Sequence, residues 1–296
     1  MEEYKQNRSS IRQNVVKCFW DSYIIIKDFS LKSEDDLRKA LDSIVWRWLY
    51  RDFSPRTLTP KEEGLSTEEF TEKSKAFLAK NFYTYFHNDA LCVYKYDNLT
   101  LPIECNDFEI WHETMCNSML ELIQKRYQDK KEHGTGYTNV EYGKAQKIVN
   151  MFFKYIYCFD DAEQYLGKFE PCHITIDSII IDWFADIVAP KLEYDSIKNS
   201  SVIKWSKSFI KGNADEQYTY LWYQAEIKNF LSKNYLDQNG EPLPSLIAEF
   251  YAWPEEQWLK ASTDWIKLDL NRDNFPKYEK DDIFLDKKEQ MKELLK

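Results

Sequence analysis

Glycine is scarce in this chain, at 7 of 296 residues, about 2.4% against a usual 7% or so. Glycine supplies the positive-φ positions of phosphate loops, tight hairpins and barrel corners. A chain this poor in it is not expected to form a dinucleotide-binding sheet, a nucleotide-phosphate loop or an all-β barrel. Helix packed on helix is what remains. Hydrophobic residues make up 43%, with 10 Trp, 20 Tyr and 18 Phe, which is ample for a sizeable core. The length suits one large domain, or two that share a core.

Apolar periodicity supports the same reading. Ser33 opens a stretch with Asp36 in its first turn and Leu37, Ala40, Leu41, Ile44, Val45, Trp48 and Leu49 at helical spacing. Ser66 with Glu69 signals a second helix start, leading into Phe70, Ser74, Phe77 and Leu78. A third stripe follows Asn106: Phe108, Ile110, Trp111, Met115, Met119, Leu122 and Ile123. The run KYDNLTLPIEC before it reads as loop because Asn, Asp and Pro cluster there. KAQKIVNMFFKYIY and SIIIDWFADIVA read as two helices joined by a loop of about fifteen residues, with Pro190 closing the second. Further helices are expected at SVIKWSKSFIK, at DEQYTYLWYQAEIKNFLSKN before the turn Asn239-Gly240, and at PEEQWLKASTDWI. YIIIKDF at 23–29 is the one candidate strand. The expected fold class is therefore all-α, a multi-helix globular protein with one stray hairpin at most. Its parts would be an N-terminal helical region (1–129), a central block (130–190) opened by the linker KKEHGTGYTNVE, a C-terminal helical region on the same core (191–265) and a charged tail (266–296).

Lys and Arg number 40 and Asp and Glu 50, a net charge of −10, which on average repels nucleic acid and anionic membranes. From Lys125 to Lys154, however, basic residues outnumber acidic ones for a net +4, leaving −14 on the rest. The N-terminus MEEYKQNRSS lacks the apolar region of a signal peptide, and no apolar run approaches the roughly 20 residues that span a bilayer. A soluble cytoplasmic protein without a membrane partner is the expectation. Six cysteines with no C-x-x-C pair make neither a disulfide framework nor a zinc ribbon. His112 and Cys116, one helical turn apart, suit core packing better than a shared metal. No metal or cofactor is expected.

The polar residues of the central helix, Lys144, Lys147, Asn150 and Lys154, fall on one face, with Ile148, Phe152, Tyr155 and Ile156 on another. A solvated face opposite a core explains that spacing. So does a basic stripe beside the turn at Gly143, suited to phosphates. Asp177 precedes the next helix as an N-cap, where amides and dipole favour its anion. Trp20, Trp111, Trp183, Trp222 and Tyr223 could stack on an extruded base, although core packing is the commoner use of such residues.

These residues resemble the helix-hairpin-helix superfamily of base-excision DNA glycosylases. There, a glycine turn enters a helix reading G-[RK]-K-T-A-N-hydrophobic, and a later segment reads Pro or Ala, Val, Asp, Thr, His, hydrophobic. The stretches Tyr142-Gly143-Lys144-Ala145-Gln146-Lys147-Ile148-Val149-Asn150 and His173-Ile174-Thr175-Ile176-Asp177-Ser178-Ile179-Ile180 carry the likeness, which covers 139–190. The paired glycines L-P-G-[VI]-G are not present, Thr175 stands where the family often has Pro, and the spacing implies an insertion at 158–172. The resemblance implies a glycosylase-like core acting on or binding double-stranded DNA. Lys147 would be the nucleophile at the sugar C1′ and Asp177 the stabiliser of positive charge, while Gly143, Lys144, Asn150 and Lys154 would be nucleic-acid contacts. The alternative is a non-catalytic helical protein whose acidic face binds a basic protein partner.

Overall fold

The computed structural model describes residues 8–13, 15–16, 29–130, 136–194, 206, 217–237 and 239–253. The protein is mostly helical, with a few small antiparallel strands. Helix α1 runs Glu34–Ala40, passes a π-helical turn at Leu41–Val45 and continues as Trp46–Phe53. Ser33 Oγ caps it by accepting the Asp36 N–H at 3.0 Å. The π-turn adds a residue to the helical period and rotates the apolar stripe. Trp46 and Phe53 are thereby buried along with Leu37, Leu41, Val45, Trp48 and Leu49. Helix α2, Thr67–His87, starts on a full capping box: Ser66 accepts from the Glu69 N–H, and the Glu69 carboxylate accepts from the Ser66 N–H. Gly64 lets the preceding turn press on its neighbour, since a Cβ there would stand 2.6 Å from the Lys125 carbonyl oxygen.

The stretch read as loop before the third helix is a hairpin, β2 Leu91–Lys95 paired antiparallel with β3 Asn98–Cys105. Pro102 does not prevent this, because β3 is an edge strand of a two-stranded sheet and need not donate a bond on both sides. Helix α2 fixes the hairpin through Asn81, whose amide donates to the Tyr94 carbonyl at 2.9 Å and accepts the Tyr94 N–H at 2.7 Å. Part of the expected linker is also paired: β1 Thr59–Pro60, β4 Tyr127–Lys130 and β5 Tyr137–Thr138 form an antiparallel sheet in the order β1-β4-β5. Between β3 and β4 lies α3, Phe108–Arg126, capped by Asp107.

Helix α4, Tyr142–Tyr157, occupies the centre, packed on α1 and α3. Apart from Lys144, Lys147 and Met151 it is buried along its whole length, as a helix enclosed on all sides must be. The expected polar face is thus confined to its first two turns. The stretch 158–172 after α4 is partly helical, with a 3-10 segment Asp160–Tyr165 and a turn of helix Leu166–Phe169. Helix α5 runs Ser178–Trp183, through a π-helical turn Phe184–Val188, to Ala189–Lys191. It passes through Pro190 instead of closing before it. Helix α6, Tyr220–Asn234, is capped by Thr219, and the turn expected at Asn239-Gly240 has Gly240 at φ +79°. Residues 245–253 are helical and almost wholly buried, an element without amphipathic spacing to announce it. A single hydrophobic cluster extends from Val15 to Ala252. The strand expected at 23–29 and the helices expected at 201–211 and 254–266 lie outside the described residues, apart from Phe29 and Ser206, and so do the charged tail and Trp20.

Candidate functional site

The segment Cys172–Ile176 is buried, yet it belongs to no helix and pairs with no strand. Buried backbone must still find hydrogen-bond partners, and here side chains of three helices provide them. Gln146 on α4 accepts the Ile176 N–H at 3.3 Å and donates to its carbonyl at 2.6 Å. Gln224 on α6 accepts the Ile174 N–H at 3.2 Å and donates to its carbonyl at 2.8 Å. Glu249 accepts the Thr175 N–H at 2.8 Å. The segment is thereby held along α4, and it delivers Asp177 to the outer end of that helix.

There Asp177 divides its oxygens. Oδ1 accepts the N–H groups of Ile179 and Ile180 at 3.0 and 3.1 Å, capping α5, and Oδ2 accepts from Lys147 Nζ at 3.0 Å. Both side chains are partly open, 24% for Lys147 and 15% for Asp177. The two residues that the resemblance sets in one reaction therefore form an ion pair, with Lys147 as counter-ion of Asp177.

One turn earlier, Lys144 Nζ donates to Thr57 Oγ1 at 2.8 Å and to the Phe53 carbonyl at 3.3 Å, and it lies 5.8 Å from the Phe53 ring centroid. Burial lowers its pKa, the charges of Lys147 and Arg56 lower it further, and Asp129 opposes them. Arg56 was not singled out from sequence. It sits in the turn-rich run after α1, and no local pattern links that run to α4.

Gly143, Asn150 and Lys154, expected as nucleic-acid contacts, are inside the molecule. The Gly143 N–H donates to the Ser206 carbonyl at 2.8 Å. Asn150 Nδ2 donates to Gln146, to the Ile174 carbonyl and to the Tyr220 hydroxyl, and its Oδ1 meets His112 Nε2 at 2.7 Å. Lys154 pairs with Glu249 at 3.1 Å and lies 4.9 Å from the Phe250 ring centroid. An α-helix enclosed on all sides can keep polar residues only where partners meet them inside, and in this structure all three positions are buried.

Around Asn150 sequence reasoning missed a buried polar cluster. His173 lies between the Tyr220 hydroxyl, at 2.9 Å from Nδ1, and Glu109, at 3.0 Å from Nε2. Burial drives His112 down to about 3 and also lowers His173, while His173 and Lys228 hold Glu109 down at about 2 against its own burial. At neutral pH the cluster therefore contains neutral imidazoles beside a carboxylate. His112 and Cys116 approach to 3.7 Å in the core, and the described residues hold no group of three or more metal-ligating side chains. Trp111, Trp183, Trp222 and Tyr223 are core residues, and no disulfide joins the buried Cys92, Cys105, Cys116, Cys158 and Cys172. No helix among the described residues is long and apolar enough to cross a membrane. Compared with known proteins, the chain matches no family model, no curated protein and no solved structure.

Proposed function

We propose that this chain is a nucleic-acid-binding protein related to the base-excision glycosylases, with Asp177 and Lys147 at its centre and a modified or damaged base as the group acted on. The observation that carries this reading is the 3.0 Å contact between Lys147 Nζ and Asp177 Oδ2 on partly exposed side chains. Loss of a base leaves positive charge on the sugar, and a carboxylate fixed by helix amides is a preorganised partner for that charge. Lys147 is the amine that the resemblance sets against C1′. Chemistry at its nitrogen begins with loss of a proton from the ammonium. Arg56, Lys144 and Lys147 form a short basic edge for phosphates, in an otherwise acidic protein.

The test is binding to labelled duplex DNA, intact and carrying an abasic-site analogue, at low and moderate salt, for wild type and for Arg56→Glu/Lys147→Glu. Salt-sensitive binding that the variant loses supports the reading. Absence of binding at low salt overturns it and turns the search to a basic protein partner.

A further inference from the structure

We infer that Lys144 is a reactive amine, the site at which an aldehyde carrying an anionic group such as a phosphate forms an imine with Nζ. The inference does not rest on nucleic-acid binding. It starts from the difference between two lysines one helical turn apart.

Lys147 has a carboxylate at 3.0 Å, whereas Lys144 has none at ion-pair distance among the described residues. Its neighbours are instead a backbone carbonyl, a hydroxyl and an aromatic ring. Thr57 Oγ1 gives its own hydrogen to the Ser54 carbonyl at 2.9 Å and is left as an acceptor. The Thr57 hydroxyl and the Phe53 carbonyl are two acceptors, which match the two N–H bonds of a neutral amine, and the third N–H of an ammonium finds no described protein acceptor. The lone pair of the neutral form is then left for a carbonyl carbon. Among the described residues, the charges that shift Lys144 are those of Lys147 on the same helix, Arg56 from the turn after α1 and Asp129 on β4, two cations against one anion, with Asp177 already engaged by Lys147. Lys144 also stands in the first turn of α4, at the positive end of the helix dipole. Burial and the two cations shift Lys144 toward its neutral form, and the same two cations would hold an anionic group on the incoming aldehyde.

In the reaction Nζ attacks the carbonyl carbon, a C–N bond forms, and the carbonyl π pair moves to oxygen, which takes the proton that nitrogen sheds. The carbinolamine then expels water to leave C=N. Nothing is oxidised or reduced.

The test treats the full chain with one equivalent of pyridoxal 5′-phosphate, or of pyridoxal without the phosphate, reduces with borohydride and maps the label by peptide mass spectrometry. Lys144 is expected to carry several-fold more label than the other lysines near pH 7.5, because burial and the neighbouring cations leave more of it as free amine. The phosphate-free aldehyde is expected to label it less, Lys147→Arg to leave the label in place and Lys144→Arg to abolish it. Label spread evenly over the lysines, label centred on Lys147, or equal labelling by both aldehydes overturns the proposal. DNA binding by the wild type is measured separately, so failure here leaves the nucleic-acid reading standing.

Discussion

Lys154 Nζ lies 3.1 Å from Glu249 Oε1 inside the molecule, and the other oxygen of Glu249 holds the N–H of Thr175 at 2.8 Å. One buried carboxylate thus ties α4 and the helix at 245–253 to the segment that delivers Asp177. Removing one partner leaves the other charge buried without its ion-pair partner, at a cost of about 3–5 kcal/mol. Glu249→Gln and Lys154→Met are each expected to lower stability by that order in urea unfolding. Lys154→Met/Glu249→Leu should recover part of the loss, but not the Thr175 bond.

Asp177 carries two roles that substitution can separate. Asn ranks with Asp as an N-cap, whereas Ala costs about 1 kcal/mol. Asp177→Asn is therefore expected to keep the wild-type thermal midpoint within a few degrees, and Asp177→Ala to lower it. If the proposed chemistry is present, both variants lose base release, measured as free base from a damaged duplex. Full release by Asp177→Asn would remove the carboxylate from the reaction.

Acid should destabilise the fold well before its surface carboxylates titrate. The pKa of His112 is about 3 in the folded protein, against about 6.5 for an unperturbed His. Because the folded value is the lower one, the unfolded chain binds the extra proton. The stability is fully present above about pH 6.5 and is lost as pH falls through the window down to about 3. His112 alone contributes a slope of about 1.4 kcal/mol per pH unit inside that window, and the lowered His173 adds to it. Urea midpoints between pH 7 and 5 measure the slope, and His112→Asn should flatten it.

Two helix side chains bond the backbone of β2: Trp111 donates to the Cys92 carbonyl at 3.1 Å, and Asn81 holds Tyr94. Asn81 bonds both the N–H and the carbonyl of Tyr94, so Asn81→Ala leaves two backbone groups without their partner, at about 1–3 kcal/mol each where they are buried. Amide hydrogen exchange in Leu91–Lys95 is expected to accelerate while that of α4 falls only by the global loss. Equal acceleration in both elements would show that the hairpin does not open on its own.

Helix starts were legible because they are set by chemistry within four residues. Ser33, Ser66 with Glu69, and Asp177 each satisfy their own first-turn amides. The hairpin was hidden because the side chains that bond its backbone, Asn81 and Trp111, belong to the helices on either side of it in sequence. The proximity of Lys147 to Asp177 could be guessed only through a resemblance. Arg56, Thr57 and Phe53 around Lys144 left no local sign, since they meet it across most of the N-terminal half.

Glycine poverty and apolar spacing by themselves determined that this protein would be helical, because backbone freedom and side-chain period act along the chain. They could not say which face of α4 meets solvent. Its lysines are spaced like a surface stripe, and only the packing of α1, α3 and the helix at 245–253 around it decided that Lys144 and Lys147 stay near water while Asn150 and Lys154 go inside. The physical reason is that a polar group can be buried wherever a partner is brought to it, and the partners here, His112, Tyr220 and Glu249, come from distant parts of the chain.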